Sequence, residues 1–456
     1  MRRALTLALL VWPAAAFTAA AQTPDNTSGF AFFSQALDPT VPAFDPPNGE
    51  HLLGDWGGIR SELEKHGIYL QLSAIAEFAG NTGGLKQGAT SANQIAFSAD
   101  VDWQRLAGVT GFSTHMILVS RSGANDSHLF GDNVAPVQEI YGAGGDVAVH
   151  LVSAYAEESL FDRRLDIAAG WMNVENDFAS SPLYCNYMNN ALCGDPKALP
   201  GGDIGHSAYP DAVWGGRVRV KPTPDTYIVA GVYEVNQDLY SQADSSGLQF
   251  GVPHDSGIYV PVQIGYEPKI GPDRLPGHYV AGFGYDSSKF KNFADALPTS
   301  LGQSTPPHTG NTQFWLLADQ MLVRNGPGDQ DGLILLGGYI HNDSVNSPYE
   351  DQYFAGLLDY GFWRARPDDG AGLLFTYISM SGALGKVQAE ESELGLPFSN
   401  AATGIQTNEM ILEVNYNIHV YRGLDFRPEF QYIIRPNAQT NIRNAAVFGF
   451  KSTVQF

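Results

Sequence analysis

Charged side chains at alternate positions are the residues of this sequence that could do chemistry. Arg217, Arg219 and Lys221 lie two positions apart, as do Asp425, Arg427 and Glu429. Positions two apart in a strand point to the same side, so each trio predicts a row of hydrogen-bonding groups on one surface. Rows that carry both signs can bind water and polar solutes without attracting only ions of one charge.

Signals for catalysis are weak by comparison. The sequence contains no GxSxG, HExxH or GxxxxGK[ST] motif, and its eleven histidines lack metal-ligand spacing. Asp100 with Asp102, and Glu409 with Glu413, could pair as acids, but hydration of a polar surface is the better interpretation. We therefore predict a non-enzyme without metal or cofactor; a hydrolase whose catalytic residues form no local motif is the alternative.

Composition and the amino terminus limit the class of protein. The chain has 26 basic and 48 acidic residues, a net charge of −22, which argues against a nucleic-acid partner. Residues 1–21 predict a cleaved secretory signal, with Arg2 and Arg3 before an apolar stretch and small residues before Gln22. Residues 22–52, rich in Pro and Asn, predict a flexible lead-in segment.

Cys185 and Cys193 are the only cysteines of the sequence and lie eight positions apart. An exported chain meets an oxidising compartment, so we predict that they form a small disulfide loop. A metal or redox pair is the alternative, but CxxC spacing and a nearby histidine cluster are both missing.

Most of the remaining chain has the period of β-strands. A short helix is predicted at 55–66, where Ile59, Leu63 and His66 recur at helical spacing before Gly67. From Ile68 onward, apolar and polar residues alternate. Sixteen runs are predicted, near 68–79, 93–104, 111–121, 149–161, 164–173, 212–221, 226–235, 257–267, 276–287, 311–323, 331–341, 351–362, 371–381, 407–418, 422–434 and 444–456.

The length and spacing of these runs favour a membrane. Most are about 10–13 residues long, near the roughly 9–11 that a tilted strand needs to cross a bilayer. Long gaps such as 79–93 and 121–149 alternate with short turns such as 161–164. The last run puts Phe448, Phe450 and Phe456 on one face, typical of a terminal barrel strand. Because lipid leaves no backbone group unpaired, such a sheet must close.

These observations predict an all-β fold: a sixteen-stranded antiparallel transmembrane β-barrel over 53–456, with a short N-terminal periplasmic helix and long extracellular loops. Side chains cannot fill a barrel of that width, so a water-filled lumen with a charged inner face is expected. An exported soluble β-sandwich would show the same alternation, but strand length, loop asymmetry and the signal peptide favour the barrel.

The sequence resembles the OprB-type carbohydrate-selective porins of bacterial outer membranes. The resemblance runs from Leu53 to Phe456, and short motifs in a fixed order carry it: Gly54-Asp55-Trp56-Gly57-Gly58, Gly80-Asn81-Thr82-Gly83-Gly84, Leu160-Phe161-Asp162, Tyr209-Pro210 and Ala318-Asp319-Gln320-Met321. It implies a pore for monosaccharides such as glucose, with loops folded inward to narrow the channel. Small sugars and outer-membrane lipid are the implied partners, and a homotrimer is common among porins of this width.

The candidate sugar contacts combine paired donors and acceptors with a flat aromatic surface for the sugar ring. Alternation places most of them inward, while Trp171, Asn173 and Asp177 lead into the longest loop. They are Glu77, Arg121, Glu157, Trp171, Asn173, Asp177, Arg217, Arg219, Glu413, Asp425, Arg427 and Glu429. Each charge could instead only hydrate the lumen or pair with its neighbour, and Trp171 could face lipid.

We therefore predict an outer-membrane porin that passes small neutral carbohydrates by passive diffusion. A general porin for other small polar solutes is one alternative. An exported β protein that binds carbohydrate without transporting it is another.

Overall fold

The computed structural model of the chain describes residues 51–141, 145–237, 247–248, 250–251 and 257–456. The predicted signal peptide and all but the last two residues of the predicted lead-in segment lie outside these residues. Within the described ranges, no helix is both long and apolar enough to cross a membrane.

Sixteen long strands, β1–β16, form one closed antiparallel sheet in the described part of the chain. Each strand pairs with the next, and β16 pairs with β1, where Lys451 lies opposite Glu77. Their bounds in order are Ile68–Gly83, Gly88–Asp102, Phe112–Gly123, Val147–Leu160, Leu165–Met172, Val213–Thr223, Thr226–Val235, Gly257–Tyr266, Leu275–Phe290, His308–Arg324, Gly332–Asn342, Tyr349–Tyr360, Gly370–Met380, Asn408–Tyr421, Leu424–Ile434 and Ala445–Gln455. The predicted sixteen-stranded antiparallel barrel is confirmed.

The other described elements are short and lie in the connections. A two-residue strand, Lys269–Ile270, extends the β8–β9 turn. Short 3₁₀ turns lie at Trp56–Gly58, Glu139–Tyr141, Tyr184–Asn186, Phe293–Asp295 and Pro436–Ala438. The helices α1–α6 are Ile59–Lys65, Trp103–Ala107, Ser127–Phe130, Ala198–Gly202, Ala296–Ser300 and Gly382–Leu394. The 3₁₀ turn and α1 fall within the helix predicted at 55–66.

The two ends of the barrel differ in their connections. The connections after β3, β5, β7, β9 and β13 are long and lie at one end, here called the long-loop end. The chain enters β1 and leaves β16 at the opposite, short-turn end. The predicted long gap at 79–93 is wrong, because β1 and β2 continue to Gly83 and from Gly88 and leave a hairpin of residues 84–87. Gly83 has a φ of 92°, which suits glycine at this turn.

Helix α1 stabilises the seam of the barrel at the short-turn end. Its Arg60 donates hydrogen bonds to the oxygen of Phe456 at 2.5 Å and to the carbonyl oxygen of Leu70 at 3.3 Å. The guanidinium lies 4.2 Å from the centre of the Trp56 ring. The amide of Phe456 donates to the carbonyl oxygen of Leu72 at 2.9 Å, as in a pair of strands. The first and last strands are therefore joined through this helix.

The inner wall of the barrel has two different sectors. On β1–β6 and β14–β16 the inward positions are largely polar or charged. On β10–β13 they are largely apolar and buried, and they include Trp315, Leu317, Met321, Ile334, Leu336, Ile340, Phe354, Leu358, Leu374 and Ile378. A Cβ at Gly282 would lie 2.1 Å from the Trp315 ring, so only glycine lets this indole lie flat on the wall. The inner face is therefore polar or charged on part of the wall and apolar on β10–β13.

Candidate functional site

Two long loops enter the barrel from the long-loop end. The β3–β4 loop comprises residues 124–146 and the β5–β6 loop comprises residues 173–212. Their side chains and the apolar sector of the wall form one hydrophobic core inside the barrel. The burial of this apolar surface is what draws the loops inward, and it explains why so many inward side chains are covered.

The β5–β6 loop is hydrogen-bonded to the wall of β10–β15. Gln352 accepts from the backbone amide of Ala198 at 2.8 Å and donates to the carbonyl oxygen of Ala191 at 2.7 Å. Gln313 donates to the carbonyl oxygen of Leu199 at 2.7 Å. These polar wall residues satisfy loop backbone groups that would otherwise be buried without partners. The loop is therefore fixed to this side of the barrel.

The disulfide lies within the same contact. Cys185 is joined to Cys193, and Arg427 on β15 donates to the carbonyl oxygen of Cys185 at 2.9 Å. Glu413 on β14 accepts from the backbone amides of Met188 at 2.7 Å and Asn189 at 3.2 Å. The cross-linked segment is therefore fixed to the wall by one cation and one carboxylate.

The structure places Glu413, Arg427 and Glu429 under the loops. All three point inward, as the alternation predicted, but each is at least 93% buried beneath the loops. Glu429 accepts a hydrogen bond from Gln431 at 2.6 Å. Asp425, nearer the short-turn end, is only partly buried and lies 3.2 Å from the ring of His419. Of the candidates on β14 and β15, only Asp425 is placed where a solute could reach it.

Glu77 and Arg121 are also covered. Lys451 Nζ lies 3.3 Å from Glu77 Oε1 and 3.4 Å from Glu139 Oε1 of the β3–β4 loop. Arg121 donates to the carbonyl oxygen of Ile140 at 2.6 Å. Glu77 is 0% exposed and Lys451 is 1% exposed, which excludes them from the surface of a hydrated lumen. This charge cluster fixes the β3–β4 loop to the wall.

Four predicted candidates do come together, and we call them the neck cluster: Glu157, Asp177, Arg217 and Arg219. Arg217 Nη2 lies 2.6 Å from Glu157 Oε2, and its Nε lies 2.8 Å from Asp177 Oδ1. Arg219 Nη2 lies 3.5 Å from the same Asp177 oxygen, and its side chain is 17% exposed. Asp177 belongs to the β5–β6 loop and the other three to β4 and β6. The cluster therefore joins the loop to the wall opposite its main contact.

Polar groups next to the neck cluster have no hydrogen-bond partner among the described residues. These groups are both side-chain polar atoms of Asn173, both of Asn176, and Ser153 Oγ. Asn173 follows β5 directly, and Ser153 is an inward residue of β4. Buried polar groups are nearly always paired, so each of these atoms is available to a further partner; the opposite wall has such atoms too, for example Thr376 Oγ1. Asn173 was predicted; Ser153 and Asn176 were missed, although Ser153 is a polar residue at an inward position.

Trp171 lies on the outer face of the barrel wall, where it is 7% exposed. It pairs with Trp214 across β5 and β6, and Trp214 is exposed on the outer face. The two ring centres are 5.6 Å apart, and the Phe250 ring lies 5.1 Å from Trp171. These neighbouring rings cover Trp171, and Trp214 is the member of the pair that is exposed on this face. Gly170, the residue before Trp171, has a φ of 153°. Strand alternation accounts for the outward position of Trp171.

Carboxyl groups of the inward loops have unusual acidities. Burial raises the pKa of Asp126, in the β3–β4 loop, to about 7. Burial, and then the nearby Asp195 carboxyl, raise the pKa of Glu175 well above its usual value. Asp195 Oδ2 lies 2.8 Å from His206 Nε2, and burial raises the pKa of Asp195 while it lowers that of His206 to about 3. The loops therefore carry less negative charge than their composition suggests.

Among the described residues, no group of three or more His, Cys, Asp or Glu side chains could hold a metal ion. The neck cluster, by contrast, offers both donors and acceptors at one place. Such an arrangement can exchange hydrogen bonds with water or with the hydroxyl groups of a solute. Its two cations and two carboxylates balance, so it presents no net charge to a neutral molecule.

Comparison with known proteins gives consistent relatives. The family model described as "Carbohydrate-selective porin, OprB family" matches residues 86–456. Porin B of Pseudomonas aeruginosa is 28% identical over 425 residues, which cover 90% of this chain and 92% of that protein. The putative porin QuiX of Acinetobacter baylyi is 28% identical over 421 residues, with 89% and 93% covered. The high-pH structure of Pseudomonas putida OprB superposes with a TM-score of 0.81 at 26% identity, covering 89% of this chain and 98% of that one.

Proposed function

Because the chain belongs to the OprB family of carbohydrate-selective porins, we propose that sugars cross it along the wall of β3–β7, past the neck cluster. The protein is an outer-membrane channel for the diffusion of carbohydrates. The long-loop end then faces the outside of the cell and the short-turn end faces the periplasm. The relatives are channels, which fits the prediction of a non-enzyme.

The asymmetry of the β5–β6 loop carries this proposal. One side of the loop is fixed to β10–β15 by hydrogen bonds such as those of Gln352 and Gln313. The other side meets β4–β6 through the ion pairs of the neck cluster. A solute path needs groups that exchange hydrogen bonds, and it needs a boundary that opens without disrupting a packed core. Both conditions favour the β3–β7 side.

The mixed charge of the neck suits small neutral sugars such as glucose. Arg219, whose side chain is 17% exposed, can donate to a hexose hydroxyl group, whereas Glu157, Asp177 and Arg217 are 4–7% exposed and meet the solute when the loop moves away from this wall. Binding at each contact must stay weak, because a tightly bound solute would not leave the channel. Transport is passive, down the gradient of the sugar.

Swelling of proteoliposomes tests this proposal. We expect glucose to enter faster than gluconate, a charged solute of similar size, and Arg217→Met to slow glucose entry several-fold. Equal entry of glucose and gluconate would contradict sugar selectivity. An unchanged rate in Arg217→Met would contradict the neck as the path.

A homotrimer is also part of the proposal, since barrels of this width commonly assemble in threes. Sedimentation of the detergent-solubilised protein distinguishes a trimer from a monomer.

A further inference from the structure

A second polar cluster lines the inner wall near the short-turn end, on β6–β10. His278 Nδ1 lies 2.7 Å from Asp319 Oδ1, and the two residues are opposite each other on β9 and β10. Both point inward by register, yet the His278 side chain is 38% exposed and the Asp319 side chain 11% exposed. These residues are therefore accessible from the lumen, unlike the covered charges of Glu77 and Lys451.

The hydrogen-bond geometry fixes the chemistry of His278. A carboxylate can only accept, so Nδ1 of His278 carries the hydrogen that it donates to Asp319. Nε2 of the same ring accepts from a hydroxyl group when the ring is neutral and donates to one when it is protonated. The second oxygen of Asp319 adds an acceptor. The pair thus offers two hydrogen-bonding atoms at one point of an open wall.

An aromatic surface lies beside this pair. A Cβ at Gly265 would lie 2.1 Å from the Tyr227 ring, so the ring lies flat against β8, which only glycine allows here. Gln263 donates to the Tyr227 hydroxyl at 2.9 Å, and the Arg219 guanidinium lies 5.3 Å from the ring centre. An apolar ring fixed in this way is a surface against which the C–H face of a sugar can pack.

The distance between the ring and the His–Asp pair suits one sugar. Tyr227 is opposite Gly265, and Gly265 is opposite Val280, two residues from His278. Neighbouring strands are about 4.8 Å apart, so β7 and β9 are separated by roughly 10 Å across the wall.

We infer that Tyr227, His278 and Asp319 form a periplasmic exit subsite for a neutral hexose, distinct from the neck cluster. The inference rests on the proposed function, since it concerns the same solute. Arg219 belongs to both places: it contacts Asp177 of the neck and covers Tyr227 of the exit subsite. A sugar leaving the neck would therefore pass directly to the exit subsite.

Single-channel recording with glucose added to one side at a time tests this subsite. The orientation of each inserted channel is determined with a cysteine introduced at Ser300, at the long-loop end. An impermeant thiol reagent reaches this cysteine from that side of the membrane only. The variants are His278→Gln and Asp319→Asn. His341→Gln is the matched control, because His341 makes a similar 2.9 Å contact with Asp351 on the outer face of the barrel.

We expect His278→Gln and Asp319→Asn to weaken glucose block from the short-turn side about five- to tenfold, as for loss of one ordinary hydrogen bond. Block from the long-loop side should change less than twofold, and His341→Gln should match the unmodified protein. The exit subsite alone would be overturned if glucose blocked both variants as strongly as it blocks the unmodified channel. It would also be overturned if His341→Gln reduced the block as much as the two variants do. Absence of glucose block in the unmodified channel would overturn the proposed function and the subsite with it.

Discussion

Glu413, on the inner face of β14, accepts a hydrogen bond at 2.7 Å from the backbone amide of Met188, which lies more than two hundred residues earlier in the chain. The carboxylate is 0% exposed. A residue that alternation places in the lumen is thus a structural anchor for the loop that fills it. The contact explains how the β5–β6 loop can be fixed to one wall of the barrel while a solute path runs along the opposite wall.

Replacing Glu413 by alanine should release part of the β5–β6 loop. Met188 and Asn189 would lose the acceptor for their amides, at a cost of about 1–3 kcal/mol in loop stability. We expect larger single-channel conductance and a smaller preference for glucose over gluconate. Glu393→Ala, at an exposed position of α6, is the control and should leave both quantities unchanged. Unchanged conductance in Glu413→Ala would show that the contact does not restrict the channel.

Replacing Arg217 by methionine should affect sugar transport more than stability of the whole barrel. Glu157 and Asp177 would remain buried without their shared cation, a loss of roughly 3–5 kcal/mol locally. We expect glucose flux to fall several-fold and the channel to favour cations, because two carboxylates then face Arg219 alone. Reversal potentials in a salt gradient measure the ion preference. Arg443→Met, exposed in the β15–β16 loop, is the control. An unaltered reversal potential would contradict the role of Arg217.

Removing the disulfide should loosen the β5–β6 loop. Cys185 and Cys193 close a short loop, for which about 2–3 kcal/mol of stabilisation is expected. The double variant Cys185→Ser, Cys193→Ser should show more current noise and faster proteolysis between 183 and 194, while the barrel stays folded. A reductant should reproduce this effect in the unmodified protein and have no effect on the double variant. Equal proteolysis with and without the disulfide would contradict this prediction.

Asp126 makes stability of the β3–β4 loop depend on pH. Burial raises its folded-state pKa to about 7, above the ordinary value of an aspartate. A raised pKa means that the folded state binds the proton more tightly, so stability is retained at low pH and falls as the pH rises toward 7. Asp126→Asn should therefore raise the thermal unfolding temperature at pH 8 and change it little at pH 4. A difference that is the same at both pH values would contradict the assignment.

The strands were predictable because their signal is local. Each of the sixteen predicted runs overlaps a strand, since alternation in a strand reflects only which side of the sheet each residue faces. Alternation did not predict the ends of β1 and β2 at Gly83 and Gly88, because both strands continue beyond their apolar residues. The first connection is therefore a short hairpin and not a long loop.

The site was only partly predictable because its contacts join distant segments. Alternation correctly placed Glu77, Glu413 and Arg217 inward. It could not distinguish a covered anchor from a neck residue, because that depends on which loop packs above each position. Trp171 is a different case: alternation within β5 gives its outer face, whereas its place before the longest loop suggests a sugar contact.

Thiol accessibility tests the location of the path most directly. The described part of the chain has no free cysteine, so single cysteines can be introduced at two inward positions on opposite walls. Arg219→Cys lies on β6 at the neck, and Thr376→Cys lies on β13 beneath the docked loop. The account predicts that a thiol reagent blocks glucose flux through Arg219→Cys, that glucose slows this reaction, and that Thr376→Cys is unaffected. Block of Thr376→Cys with no effect on Arg219→Cys would contradict the account.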